Sequence, residues 1–209
     1  MSTPTQSFAN SQGQRKLDSY WQALQGDPRL VLHATTYAWA AGLFEPGWVL
    51  DVGCEFGFGS ALLVQANPSL RVLGCDVDIQ ALGFARGIGE DSGTVVCQAA
   101  ADALPFARDD LSGVCLFNIL HLVREPHTIV REARRVLKDG QRLVITLPRD
   151  DNLPVDWRAG QLDERLSDLA GRLFEEIHFP EAVAAPSVSP SMKEQQLGAD
   201  APILVAVCR

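Results

Sequence analysis

The feature that most constrains this chain is a glycine-bearing turn that follows a short apolar run. The run 48–50 leads to Asp51, and glycines then stand at positions 53, 57 and 59 before a new apolar segment. This order of residues predicts a buried strand, a tight turn and the start of a helix. Glycine tolerates positive φ and lets a ligand approach the backbone, and the amides at the helix start would face that ligand. The stretch therefore predicts either a nucleotide-type pocket or a structural tight turn.

Short apolar runs alternate with helical patterns on both sides of this turn. Continuously apolar strands separated by helices are typical of a parallel sheet covered on both faces. The last two apolar runs follow the alternating units, so they predict a hairpin added to one edge of the sheet. The predicted strands are 48–52, 71–76, 94–97, 113–117, 142–147, 174–179 and 202–208, and the predicted helices after the turn are 60–66, 79–88, 127–137 and 162–173. Glycines at 83, 87 and 89 interrupt and end the second of these helices.

The length favours one domain spanning residues 1–209, with a polar tail at 1–14 and a helical N-terminal cover at 15–46. Helical spacing of apolar residues in the cover would bring Tyr37 near any ligand. Aromatic packing in the core is the alternative for this side chain.

The composition is that of a soluble globular protein with a net charge of −8. Such a surface repels a phosphate backbone, so we expect no nucleic-acid partner. Arg131, Arg134, Arg135 and Lys138 form either a solvated helix face or a local basic patch. Five cysteines without a paired spacing favour free thiols in a reducing compartment and no metal site. With no apolar run long enough to cross a membrane, we expect a cytoplasmic protein without a membrane partner, as a monomer or homodimer.

A second acid, Asp76, ends the predicted second strand 25 residues after Asp51. A carboxylate there can accept both hydroxyls of a ribose that lies across the first two strands. The combination predicts an adenosine-containing cofactor. The spacing Gly-x-x-x-Gly-x-Gly differs from the pyrophosphate-binding pattern, and Asp51 would repel a pyrophosphate but attract a cationic ligand. A nicotinamide-dependent oxidoreductase is therefore the least favoured functional hypothesis.

From about His33 to Pro148 the sequence resembles the class I S-adenosylmethionine-dependent methyltransferases of the small-molecule type 11 group. The resemblance rests on five segments in order: 49–54, 72–78, 102–106, 120–121 and 135–140. It implies an α/β Rossmann-like seven-stranded sheet of order 3-2-1-4-5-7-6, with strand 7 antiparallel and helices on both faces. It also implies S-adenosylmethionine as the cofactor and a small-molecule acceptor.

The resemblance assigns roles to particular positions of the cofactor site. Residues 53–57 would contact the methionine part, Asp76 the ribose and Val77 the adenine, while Ala101 and Asp102 would read the edge of that base. Phe117 and Asn118 would approach the methionine amine. The expected cofactor-binding residues are Tyr37, Asp51, Gly53, Cys54, Glu55, Gly57, Asp76, Val77, Ala101, Asp102, Phe117 and Asn118.

Three positions depart from the family pattern. Glu55 replaces a usual glycine, Ala100 replaces a usual acid, and Leu111-Ser112 replaces a usual Phe-Asp. A non-catalytic binding or regulatory subunit is therefore the alternative to an enzyme. The Glu55 carboxylate either contacts the cofactor's ammonium, which is the favoured interpretation, or points outward and adds bulk and charge.

Methyl transfer needs alignment and exclusion of water, and needs a base only if the acceptor must lose a proton. His121, just beyond the fourth strand, is the expected catalytic base. A structural histidine bonded to backbone is the alternative, and His33 and Tyr37 are second candidates.

Overall fold

The computed structural model describes residues 28–148, 162–178, 183–185, 195–197 and 203–209. The predicted tail at 1–14 and the helical segment around Tyr20 lie outside these ranges. None of the helices in the described ranges is long and apolar enough to cross a membrane.

A mixed sheet forms the centre of the protein, and parallel strands make up most of it. From edge to edge its order is β3-β2-β1-β4-β5-β9-β6, and β9 runs antiparallel to both of its neighbours. Two further strands, β7 and β8, pair with each other. The strands are β1 (Gly47–Val52), β2 (Leu70–Asp76), β3 (Val95–Gln98), β4 (Leu111–Phe117), β5 (Leu137–Pro148), β6 (Ile177–His178), β7 (Val183–Ala185), β8 (Gln195–Leu197) and β9 (Ile203–Cys208).

The α/β Rossmann-like class predicted from the sequence is confirmed, whereas the predicted sixth strand, at the edge of the sheet, is much shorter than expected. Six strands of the sheet have four or more residues, and β6 has only two. The predicted strand 174–179 starts too early, because Phe174 lies in the turn that follows the helix ending at Ala170. Its N–H donates to the carbonyl of Ala170 at 3.1 Å, which continues the helical turn.

The helices are α1 (Pro28–Ala41), α2 (Phe58–Ala66), α3 (Ile79–Ser92), α4 (Pro126–Val136) and α5 (Leu162–Ala170), with a short 3₁₀ helix at Leu120–Leu122. The prediction that glycines end α3 near residue 88 is wrong. Asp78 caps the start by accepting from the N–H groups of Gln80 and Ala81, and the helix continues to Ser92. Gly89 is needed for packing instead, because a β-carbon there would lie 2.5 Å from the carbonyl oxygen of Thr94.

Neighbouring residues of the central strands pack on opposite faces of the sheet. Leu50 belongs to the core formed with α4 and α5, while Val49 belongs to the core formed with α1 and α2. The N-terminal helix α1 therefore packs against the sheet face and behind the glycine turn. Side chains of α1 that point toward the sheet, such as Tyr37, therefore belong to the core.

Candidate functional site

The turn between β1 and α2 has the conformation that its glycines predict. Gly53 and Gly57 have φ of 76° and 80°, and Glu55 between them has φ of 45°. The N–H groups of Gly53 and Cys54 both donate to the carbonyl of Cys75, at 2.8 and 3.1 Å. The turn is thus fixed against the end of β2 at the carboxyl edge of the sheet, where open α/β sheets bind ligands.

Asp76 joins the turn through its side chain. One carboxylate oxygen accepts from the N–H of Glu55 and the other from the N–H of Asp78, each at 2.9 Å. Each oxygen keeps a further lone pair, and the residue is only partly buried. The structure therefore brings the predicted ribose acceptor into direct contact with the predicted glycine turn.

Asp51 lies behind the turn and is fully buried. Its oxygens accept from the hydroxyls of Tyr37 at 3.0 Å and Ser60 at 2.7 Å. Burial raises its pKa to about 6, although the two hydroxyl donors oppose that shift. In the structure, Asp51 and Tyr37 support the turn from below, so any attraction of a cation by Asp51 acts through the turn and at a distance.

The sequence reasoning missed Ser60, which completes this buried group of hydroxyls and carboxylate. A serine in the first turn of a mostly apolar helix, nine residues after an acid, was the available signal. Cys54 is also buried, and its sulfur fills the space beside Gly74, where a β-carbon would lie 2.7 Å away. Its side chain therefore packs below the turn, which leaves only its backbone facing outward.

Four exposed apolar side chains stand in the turn, directly after β2 and on α3. Val77 is 65% exposed, and Phe56, Ile79 and Phe84 are each about half exposed. The rings of Phe56 and Phe84 meet edge to face, with centroids 5.8 Å apart. Exposed aliphatic and aromatic surface suits the face of a purine, which supports the position of Val77 and adds three residues that the sequence analysis did not name.

Ala101 and Asp102 lie in a tight loop that begins beside Asp76. The carbonyl of Asp76 accepts from the N–H of Ala99 at 3.1 Å, and the loop turns between Ala100 and Ala103. Asp102 is exposed and Ala101 half-buried. The loop thus begins beside Asp76, the predicted ribose acceptor.

At the end of β4, Phe117 and Asn118 have different environments. The Phe117 ring is buried against Tyr37, with centroids 4.5 Å apart, so it contacts the core and leaves only its backbone toward the crevice. Asn118 has a positive φ of 55°, and its side-chain oxygen accepts from the Thr146 hydroxyl at 3.3 Å. The side-chain amide nitrogen of Asn118 can donate a hydrogen bond to a ligand at this edge of the sheet.

His121 stands in the 3₁₀ helix directly after this segment. Its Nδ1 is buried and has no hydrogen-bond partner among the described residues, and burial lowers its pKa. Ile119, two residues earlier, lies against Gly53, where a β-carbon would be 2.6 Å from its Cγ2 atom. The segment that carries His121 therefore borders the turn.

Glu55 adopts a left-handed backbone that L-residues with side chains rarely use, and its side chain is exposed. We expect Glu55→Gly to raise the free energy of unfolding by up to about 1 kcal/mol, because glycine removes this strain. We also expect it to weaken cofactor binding, as the favoured contact with an ammonium is lost. Glu55→Gln is the control, because it keeps the strain and loses the charge. If both variants bind S-adenosylhomocysteine more tightly in calorimetric titrations at low salt, Glu55 obstructs the site.

Two arginines of the predicted basic face are structural. Arg134 bonds to the carbonyls of Leu173 and Leu137 and pairs with Asp139, and Arg135 bonds to carbonyls and to Glu132. A cavity of about 640 Å³ beside α4 is lined by five arginines and four acids, so its charges nearly balance.

Within the described ranges no cluster of histidine, cysteine, aspartate or glutamate could hold a metal ion.

Comparison with known proteins identifies relatives of the segment that forms this site. Residues 50–145 match a family described as a methyltransferase domain. A candidate tRNA methyltransferase of Mycoplasma pneumoniae is 30% identical over 120 residues, which cover 49% of this chain and 56% of that protein. The fatty-acid O-methyltransferase of Mycolicibacterium smegmatis is 27% identical over 124 residues, which cover 59% of this chain and 45% of that protein.

A solved structure shares the fold over nearly the whole chain. The S-adenosylmethionine-dependent methyltransferase of Aquifex aeolicus superposes with a TM-score of 0.60 at 18% identity, covering 92% of this chain and 98% of the other. At that identity the likeness concerns the fold alone. The chain spans about half the length of the two named curated relatives.

Proposed function

We propose that this chain is a class I S-adenosylmethionine-dependent methyltransferase and that it transfers the cofactor's methyl group to a small-molecule acceptor; the match of residues 50–145 to a methyltransferase domain supports this proposal. The observation that carries the proposal is the contact between the glycine turn and Asp76, because it places a ribose acceptor beside a backbone that a ligand can approach. The exposed apolar side chain of Val77, directly after Asp76, supports a purine in the adjoining position.

The family's cofactor supplies an electrophilic methyl group on a sulfonium. This chain's residues would hold that group and exclude water from its acceptor side. Gly53 and Glu55 offer backbone to the methionine part, and Asp76 accepts from the ribose hydroxyls. Asn118 offers its side-chain amide near the methionine amine. Because the reaction is a displacement at carbon, alignment of the acceptor with the methyl supplies most of the rate enhancement.

His121 is the residue we propose as general base. Burial lowers its pKa and so keeps the ring neutral at physiological pH, and a neutral imidazole has one nitrogen lone pair that can accept a proton from a hydroxyl or amine acceptor. The half-buried ring lies on the segment that borders Gly53, at the edge of the crevice.

We expect His121→Ala to lower kcat about 10²–10⁴-fold with little change in the Kd of S-adenosylhomocysteine. In the parent, the acid limb of the kcat profile should fall at a pKa below the usual histidine value of 6.5, since burial lowers it. The variant should lose this limb. Turnover within about threefold of the parent would leave His121 with a structural role only.

The small-molecule class is supported by the acidic chain and by the pairing of arginines within the fold. A formal charge of −8 opposes a phosphate backbone, and Arg134 and Arg135 are already bonded to carbonyls and acids. RNA is the competing acceptor, because one curated relative is named for tRNA. A catalytically silent binding subunit is the alternative to an enzyme, motivated by Glu55, Ala100 and Ser112.

A labelled-methyl assay distinguishes these outcomes. The purified chain is incubated with S-adenosylmethionine carrying a radioactive methyl group and either a small-molecule extract or total tRNA. Label in the low-molecular-weight fraction supports the proposal, and label in tRNA would overturn the acceptor class. No transfer to either, together with intact binding of S-adenosylhomocysteine, would favour the binding subunit.

A further inference from the structure

The loop that follows β3 is held from behind by two side chains of α4. Glu132 accepts from the N–H of Leu104 at 2.8 Å. Arg135 donates to the carbonyls of Phe106 at 2.8 Å and Leu104 at 3.1 Å. The two side chains also bind each other in a fork, with both nitrogen–oxygen distances at 2.7 Å. Three backbone groups of one loop are thus fixed by a single ion pair.

This ion pair is better placed than an ordinary surface pair to fix geometry. The Glu132 and Arg135 side chains are only 16% and 29% exposed, and the guanidinium uses its planar fork to bind two carbonyls and a carboxylate together. The hydrogen bonds from Arg135 hold the pKa of Glu132 below its usual value, so the carboxylate is charged at neutral pH. Leu104 anchors the loop from its own side, since its side chain is buried.

We propose that Glu132 and Arg135 are positioning residues that set the backbone of residues 101–106 and thereby determine how well the site distinguishes adenine from other purines. The inference rests on the proposed function, in which Ala101 and Asp102 read the edge of the base. Discrimination by hydrogen bonding requires donors and acceptors at fixed positions. Ala101 and Asp102 are only three and two positions before Leu104, whose backbone the ion pair holds. A looser loop would still bind a purine face but would lose selectivity at its edge.

The neighbouring Arg134 provides a matched control. It also is half-buried, donates to two carbonyls and pairs with an acid, but its partners are Leu173, Leu137 and Asp139. Loss of Arg134 should therefore lower stability by a similar route without touching the loop. The comparison separates a general loss of packing from a loss of loop position.

The experiment measures calorimetric dissociation constants of S-adenosylhomocysteine and of S-inosylhomocysteine, which carries hypoxanthine in place of adenine. Selectivity is the dissociation constant of S-inosylhomocysteine divided by that of S-adenosylhomocysteine. This ratio is compared among the parent, Arg135→Ala, Arg135→Lys, Glu132→Gln and Arg134→Ala. We expect Arg135→Ala to weaken S-adenosylhomocysteine about tenfold and to lower the ratio at least fivefold. Arg134→Ala should keep the ratio within twofold.

The conservative variants keep the test decisive if Arg135→Ala does not fold. Lysine keeps the charge but cannot bind both carbonyls and the carboxylate in one plane, so Arg135→Lys should also lower the ratio. Glu132→Gln retains an acceptor for the N–H of Leu104 and should lower it less. An unchanged ratio in Arg135→Lys, with S-adenosylhomocysteine still bound, would overturn this inference alone. Failure of the parent to bind S-adenosylhomocysteine would overturn the proposed function, and the inference with it.

Discussion

Gly59→Ala is expected to destabilise the protein by about 3 kcal/mol, although alanine normally favours a helix. A β-carbon at position 59 would lie 2.6 Å from both Cε atoms of Tyr37, inside the van der Waals contact of the ring. The ring cannot move away easily, because its hydroxyl binds Asp51 and its faces meet His33 and Phe117. Overpacking in such a rigid place costs about 1–3 kcal/mol or more. Urea unfolding gives the free-energy difference.

Gly83→Ala is the matched control, because nothing lies within 4 Å of a β-carbon there and the residue is also in a helix. We expect this variant to gain about 0.5–1 kcal/mol. Tyr37→Ala and Gly59→Ala together should destabilise the protein by less than the sum of the two single changes, because removal of the ring also removes the clash. Equal stability of Gly59→Ala and Gly83→Ala would contradict the packing of α1 behind the turn.

Asp76→Ala is expected to weaken S-adenosylhomocysteine binding by about 1.5–3 kcal/mol, or roughly tenfold to over a hundredfold. The variant loses the charged acceptor for the ribose. It also leaves the N–H groups of Glu55 and Asp78 without their acceptor, so the turn becomes less ordered before it binds. Titration calorimetry at constant pH and salt measures the change.

Asp78→Ala controls for the loss of a nearby carboxylate. Asp78 caps α3 by accepting from two backbone N–H groups, so its removal should cost about 1 kcal/mol of stability. We expect its S-adenosylhomocysteine affinity to stay within about threefold of the parent. If Asp76→Ala binds as well as the parent, the assignment of Asp76 to the ribose is wrong.

The sequence predicted the central part of this fold well because local patterns and tertiary packing agree there. Apolar runs ending in Asp51 and Asp76 become β1 and β2, and the glycine turn joins the first run to α2. The three glycines of α3 led to a predicted end that is too early, because low helix propensity is a weak rule that capping can override. Asp78 and Gly93 cap that helix at its two ends, and Gly89 serves a close approach of the chain.

The sequence predicted which residues lie around the turn better than it predicted where their side chains point. Tyr37, Cys54 and Phe117 are adjacent to the turn in space, yet their side chains are buried below it. Position in the chain could not reveal this, because the direction depends on how α1 packs against the sheet. The clamp of Glu132 and Arg135 was likewise hidden, since it joins residues about 30 positions apart.

The most direct test of the central claim is a calorimetric titration of the full chain with S-adenosylhomocysteine, with NADH as the comparison ligand. The crevice at the glycine turn and Asp76 predicts one bound S-adenosylhomocysteine per chain, with a dissociation constant within the range of about 1 μM to 1 mM that enzymes use for their substrates. NADH should give no binding heat. Binding of NADH, or no S-adenosylhomocysteine binding by the folded protein, would contradict the assignment of this crevice to S-adenosylmethionine.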